Sequence, residues 1–328
     1  MGTELGFFAV VALATALSSA VLGGIFTQLG IVSEPNHRSS HNRTTAVGVG
    51  VVVPVIAASA LLVRDASLPA GLLGGLMIAA LGFVDDLLDL AVSVRIVGQF
   101  LIAGATLSLG GSSPVGVIVG SLVVVAAVNG LNFMDGINGI TATAGVIIGA
   151  CLSYAGSVAQ SPAWSGVGLA MSAACLGYLT HNFPAARSFP GDVLPYFLGA
   201  VFVIGVIVLG RTHPIVFLGM GVLVPAGVDT STTLIRRVRA GHGPASPHRD
   251  HVYQRLARAT SHVHATLAFV GLETICAVAL PVGVRWGWEV GLAYLLVASL
   301  GTLATLHLVS RRLASPDQVS LKSIGELS

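Results

Sequence analysis

The sequence predicts an all-α, polytopic integral membrane protein: a bundle of about eleven transmembrane helices. Three observations predict it. Hydrophobic residues make up 54% of the 328-residue chain and charged residues only 9%, too few charges to cover a water-soluble domain of this length. Apolar runs close to the roughly 20 residues needed to cross a hydrocarbon core recur from one end of the chain to the other. The scarce carboxylates Asp85, Asp86, Asp89, Asp135, Asp192 and Asp229 fall at the ends of those runs. Carboxylates at a bilayer boundary are expensive and mark function by default.

Windows of about 19 residues place the spans at 5–29, 46–63, 67–84, 95–110, 114–131, 139–156, 164–180, 194–210, 214–231, 264–284 and 288–309. The first lacks a basic leader and a small-residue cleavage site, so it is expected to stay as a span. Gly and Ala enrich several spans, which suits close helix approach in lipid. Cys151, Cys175 and Cys276 lie inside apolar runs without metal-ligand spacing and read as packing residues. The whole chain, 1–328, reads as one membrane domain. Its polar loops are expected at 31–45, 85–94, 132–138, 181–193 and 232–263, with a short tail at 311–328.

Orientation follows from the basic residues. With the spans alternating, all 16 Lys and Arg except Arg64, Arg211 and Arg285 fall on one side. The positive-inside rule makes that side cytoplasmic, with the N-terminus outside and the C-terminus in the cytoplasm. All five polar clusters land on the same side. The formal net charge of +2 says little about partners; no nucleic acid is expected, only membrane lipids and small anionic substrates.

The first cluster, around Arg38 and His41, carries two Arg, two His and several hydroxyls, a plausible phosphate-binding surface. The second, Asp85-Asp86-Leu87-Leu88-Asp89, carries carboxylates at i, i+1 and i+4, which places Asp85 and Asp89 on one helix face. Such carboxylates bind Mg²⁺ together with substrate phosphates. The third contains Asn129, Asn132, Asp135 and Asn138 among glycines, so its amide and carboxylate oxygens suit a nucleotide or a metal. The fourth holds Asn182, Arg187 and Asp192; the Asp suits a metal and the Arg an anionic substrate. The fifth has Arg236, Arg237 and Arg239, then His248, Arg249 and His251. Its His-x-x-His spacing lacks a third zinc ligand, so phosphate donors are the better reading.

In this order, the five strings resemble the polyprenyl-phosphate N-acetylhexosamine-1-phosphate transferase superfamily. The matching pieces are Arg38-Ser39-Ser40-His41, Asp85-Asp86, Asn132-Phe133-Met134-Asp135-Gly136-Ile137-Asn138-Gly139, Asn182-Phe183-Pro184-Ala185 with Gly191-Asp192, and the loop around His251. The run His248-Arg249-x-His251-x-Tyr253-Gln254-Arg255 looks closest to the branch that initiates O-antigen and related polysaccharides. The resemblance implies transfer of a sugar-1-phosphate from a UDP-N-acetylhexosamine to undecaprenyl phosphate, with Mg²⁺ or Mn²⁺ required and UMP released. It implies a bacterial inner membrane, an active site facing the cytoplasm, and a fold in which a homodimer is compatible.

Residue by residue, the resemblance implies that Asp85 orients or deprotonates the lipid phosphate, with Asp86 beside it. Asp192 would be the principal metal ligand. Asn132 and Asp135 would bind nucleotide or metal, and His248, Arg249 and His251 the donor diphosphate or uridine. The chain departs from the family twice. Gly191-Asp192-Val193-Leu194-Pro195 replaces a Gly-Asp-x-Gly-Ser pattern, and His251-Val252-Tyr253-Gln254 keeps only the first histidine of His-x-His-His. The alternatives are an inactive family member or a membrane carrier. A carrier should place ionisable groups near the midplane; Glu273 and His307 are the only mid-span candidates, and both read as packing or interfacial residues.

Overall fold

The apolar runs fold as helices because a chain in hydrocarbon must satisfy its own backbone N–H and C=O groups, and a helix does so within one segment. The structure is a computed structural model describing residues 2–34, 44–64, 68–243 and 249–313. Its helices are α1 (Gly2–Gln28), α2 (Val52–Val63), α3 (Ala70–Leu88), α4 (Val92–Leu109), α5 (Pro114–Phe133), α6 (Ile140–Val158) and α7 (Pro162–Asn182). Then follow α8 (Val193–Gly210), α9 (Val224–Arg239), α10 (Val252–Ala259), α11 (His262–Ala277), α12 (Ala279–Trp286) and α13 (Trp288–Arg312). Short 3₁₀ segments at Val49–Val51 and Pro214–Leu223 lead into α2 and α9. Among the described residues, nine helical segments are long and apolar enough to cross a membrane. Of the other two expected spans, 46–63 falls on the shorter Val49–Val63 helix and 164–180 on α7, whose less apolar residues include Pro162, Trp164, Tyr178, His181 and Asn182. The protein is a multi-pass helical membrane bundle.

Helix α8 is its axis. It carries no charge, and every residue from Val193 to Val206 is buried. Helices α3 and α5 flank it, α4 crosses both of them, and α6 pairs with α7, which also receives α1. Helices α11 to α13 pack around Pro214–Leu223. The outer helices turn large apolar side chains outward, among them Leu13 of α1, Leu101 of α4 and Leu300 of α13, as lipid-facing positions should.

Two expectations about the polar segments are corrected. Helix α3 ends at Leu88, and Asp89 turns away in the left-handed region at φ 50°. Asp85 and Asp89 therefore share no helix face: Asp85 is buried and Asp89 exposed. The stretch 232–263 is also not one loop, since α9 continues to Arg239 and α10 lies within it. Helix α10 forms there because the buried Asp229 of α9 accepts its first amides, Val252 N at 2.9 Å and Tyr253 N at 3.1 Å. A carboxylate supplied from outside satisfies N–H groups that a helix leaves open at its start and complements its dipole. Glu273 is buried in α11 and His307 exposed on α13, and the three cysteines are free and buried.

The α6–α7 pair shows what the glycines do. A Cβ on Gly149 would meet Ser172 N at 2.5 Å, so the two backbones touch at that level. Gly149→Val is expected to push the helices apart and destabilise the protein by about 1–3 kcal/mol, read as a lower thermal midpoint in detergent.

Candidate active site

Four helix ends converge at one end of the bundle: the last turn of α3, the first turn of α4, the end of α5 and the start of α8. Each delivers polar groups there because a charged side chain can leave the apolar core only at a helix terminus. Asp192 sits at the centre, as the N-cap residue of α8. Its Oδ1 accepts the Asn132 Nδ2 from α5 at 2.7 Å, and its Oδ2 lies 3.6 Å from Arg95 Nη1 of α4. Its own backbone N–H donates to Asp86 Oδ1 of α3 at 3.0 Å.

The adjacent carboxylates Asp85 and Asp86 do different work. Asp85 is buried and saturated. Its Oδ1 accepts Leu90 N at 2.8 Å, and its Oδ2 accepts Arg95 Nη1 at 2.7 Å and the Tyr196 hydroxyl at 3.5 Å. Asp86 uses Oδ1 on the start of α8, while its buried Oδ2 has no hydrogen-bond partner among the described residues. Gly191, at φ 69°, passes so close that a Cβ there would collide with that oxygen. The site thus holds one carboxylate oxygen poised and unclaimed.

Asp135 lies in the turn between α5 and α6, where its Oδ1 accepts the Thr141 hydroxyl at 2.5 Å. Burial, then the negative charge of Asp192, pushes the Asp135 carboxyl up to about 7 despite that hydrogen bond. Asp192 is also pushed up, first by burial and then by the charge of Asp86. These carboxylates crowd together with Arg95 as the one cation within 4 Å of Asp85 and Asp192 among the described residues.

The remaining sequence candidates divide by role. Asn182 is buried and braces the turn: its Oδ1 accepts Gly139 N at 2.8 Å and its Nδ2 donates to Ser188 O at 2.9 Å. Asn138 donates to Pro184 O at 3.0 Å, joining the same two segments. His251 is buried between rings, stacked on Phe133 with centroids 6.0 Å apart and tilted against Tyr253 at 5.7 Å. Its Nδ1 lies 3.5 Å from Asp229 Oδ1. Tyr253 donates to Phe133 O at 2.9 Å, which ties α10 to the end of α5. Arg187 is exposed beside this region. Arg249 keeps a buried Nη2 without a partner among the described residues, a donor ready for an anion. Arg38, His41 and His248 lie outside the described residues.

Sequence reasoning counted Arg95 only as a topology signal, yet the structure places it against two carboxylates. A basic residue in the first turn of the helix after the Asp pair was the available signal. Tyr196, one turn into α8, gave no local signal, and Asp229, noted only as a boundary carboxylate, gave none of its part as the cap of α10.

The donor set suits a divalent cation. Asp86 Oδ2, Asp192 and the amide and carboxylate oxygens of Asn132 and Asp135 are hard oxygen donors, with no soft ligand beside them. Among the described residues no three His, Cys, Asp or Glu gather as a ready-made metal group. Mg²⁺ needs none, since it takes one or two carboxylates and completes its shell with substrate phosphates and water.

The model of glycosyl transferase family 4 matches residues 68–210, the stretch that carries Asp85, Asp86, Arg95, Asn132, Asp135 and Asp192. A Streptomyces coelicolor protein named as a glycosyltransferase is 30% identical, over 93% of this chain and 75% of its own length. The chain belongs to glycosyl transferase family 4. A decaprenyl-phosphate N-acetylglucosaminephosphotransferase of Mycolicibacterium smegmatis is 29% identical, over 81% of this chain and 79% of its own. An undecaprenyl-phosphate alpha-N-acetylglucosaminyl 1-phosphate transferase of Yersinia pestis is 25% identical, over 71% of each. The family member described here is an enzyme of the phosphotransferase kind.

The raised carboxyls make stability depend on pH and on cations. Folded Asp135 keeps its proton to about 7, whereas an unfolded Asp loses it near 3.8. The folded state therefore holds more protons between those values, and stability falls as pH rises through that window. Without divalent ions, the thermal midpoint should be lower at pH 8 than at pH 5.5, and Asp135→Asn should flatten that fall. Mg²⁺ should raise the midpoint more at pH 8 than at pH 5.5, because a cation binds the ionised carboxylates.

Proposed function

We propose that the protein transfers N-acetylhexosamine-1-phosphate from a UDP-sugar to undecaprenyl or another polyprenyl phosphate at the cytoplasmic face of a bacterial plasma membrane. The products are a polyprenyl-diphosphate sugar and UMP, the starting lipid of an O-antigen-like or related envelope glycan. The observation that carries this reading is Asp192, ringed by Asp86, Asn132 and Arg95 where four helices end. A soluble nucleotide sugar and a lipid phosphate anchored in the leaflet can meet only at such a boundary. The names of the mycobacterial and Yersinia relatives support polyprenyl phosphate as acceptor and N-acetylglucosamine as the first sugar to test.

In this mechanism an oxygen of the lipid phosphate attacks the sugar-linked phosphorus in line. A new P–O bond forms, the bond to the bridging oxygen breaks, and UMP leaves with that oxygen. The acceptor is already ionised near neutral pH, so direct attack needs no covalent enzyme intermediate. The main obstacle is repulsion between two anions. Asp192, with Asp86 and Asn132 or Asp135 beside it, would hold Mg²⁺ or Mn²⁺, which would supply positive charge to the phosphates. Arg95 donates to the acceptor phosphate once it is released from Asp85 and Asp192, and Asp85 returns it to position after turnover. Arg249, whose Nη2 is open among the described residues, would donate to the donor diphosphate; the resemblance assigns the same substrate to His248 and His251 and phosphate binding to Arg38 and His41, of which Arg38, His41 and His248 lie outside the described residues. Asn138 and Asn182 hold the turn that would border the nucleotide, and the exposed Arg187 is left for an anionic substrate.

The test is a radiolabel transfer assay on purified protein with undecaprenyl phosphate, Mg²⁺ and a panel of UDP-N-acetylhexosamines. Label should enter the lipid phase with one donor in step with UMP release. Transfer from none of them by folded protein would sink the proposal and favour a carrier. Asp192→Asn should lower turnover by at least about 10²-fold, the scale of removing one charge-organising group from a transition state, while leaving the protein inserted. Substantial residual activity would remove Asp192 from the metal role.

A further inference from the structure

A second polar layer lies one turn deeper in the bundle, beneath the groups that surround Asp192. Gln99 of α4 is fully buried at 0% exposure, and its Oε1 accepts Asn129 Nδ2 of α5 at 2.6 Å. The same Asn129 amide donates to Val125 O at 2.8 Å. Gln99 Nε2 has no acceptor among the described residues. A buried donor left open is destabilising, so packing alone would favour an apolar side chain at this position.

The register explains what the pair is placed to do. Gln99 stands four residues after Arg95 and Asn129 three before Asn132, so each shares a helix face with a group that touches Asp192. Arg95 approaches Asp192 Oδ2 from α4, and Asn132 holds Oδ1 from α5. Those upper contacts come from two different helices, and the amide bond below ties the two helices together. Rotation of α4 against α5 would move Arg95 and Asn132 apart about Asp192; the Gln99–Asn129 bond opposes that rotation.

We propose that Gln99 and Asn129 are positioning residues that lock α4 to α5 so that Arg95 and Asn132 address Asp192 together. This rests on the sugar-phosphate transfer reading for its kinetic consequence, not for its structural one. Gln99→Met keeps the volume and removes the tie. It also trades one open donor, Gln99 Nε2, for another on Asn129, so the thermal midpoint should hold.

The experiment compares wild type, Gln99→Met, Arg95→Lys and the double variant in the transfer assay, with hydrogen exchange measured on α4. Gln99→Met should lose about ten- to a hundredfold in kcat, the scale of a misplaced catalytic group, with the donor KM little changed. Exchange of the amides of residues 92–98 should quicken. The double variant should be no slower than Arg95→Lys alone, because both changes disturb one contact. A wild-type rate in Gln99→Met, or losses that multiply in the double variant, would overturn the proposal. If the wild-type protein transfers no sugar phosphate, the function reading falls and exchange alone decides. Faster exchange in α4 at an unchanged midpoint then supports the lock, and unchanged exchange refutes it.

Discussion

The structure depends on one hydrogen bond at the start of α8, where Asp192 N–H donates to Asp86 Oδ1 across from α3. Helix α8 is the most buried element of the bundle and carries no charge along its length. Its first amides must nevertheless be satisfied where they emerge. A carboxylate from a neighbouring helix does this and favours the positive end of the helix dipole. The same bond fixes Asp192 against the end of α3 and leaves the second oxygen of Asp86 open. A structural requirement and a chemical capability are thus met by one side chain.

The device occurs twice. Asp229 starts α10 as Asp86 starts α8, and α10 in turn carries Tyr253 to the carbonyl of Phe133. The polar segment after α9 is thereby joined to the end of α5, and Asn138 and Asn182 join the next turn to the segment before Asp192. A parallel bridge from Ala46 to Ser188 brings in the segment ahead of α2. Segments far apart in the chain therefore border one cluster of carboxylates. Burial at the edge of a low-dielectric bundle, and then the charge of the neighbouring carboxylates, raises Asp135 and Asp192. An environment that resists so much negative charge is one that welcomes a cation and the phosphates it brings.

Much of this was legible in the residues themselves. The helical membrane bundle followed from apolar runs of spanning length, and the Asn132-to-Gly139 string with the two Asp strings marked where chemistry would sit. Within those strings, the division of labour was not legible. Asp85 and Asp86 are adjacent letters, yet one is saturated by Arg95, Leu90 and Tyr196 and the other keeps an open oxygen. The expected pairing of Asp85 with Asp89 failed because the helix ends between them. His251 reads as a free phosphate donor in the chain, but in the fold it is packed between Phe133 and Tyr253 beside Asp229.

The sequence by itself determined that the chain lives in a membrane, where its helices run and which polar strings lie at their ends. Those properties depend on hydrophobicity and local spacing, which are carried by neighbouring residues. Only the tertiary structure decided that Arg95 stands between Asp85 and Asp192, that Asp86 and Asp229 cap helices other than their own, and that Gln99 meets Asn129 one layer below. These contacts join residues 10 to 106 positions apart, and which of them meet depends on how each helix is rotated against its neighbours. That rotation is set by packing across the whole bundle.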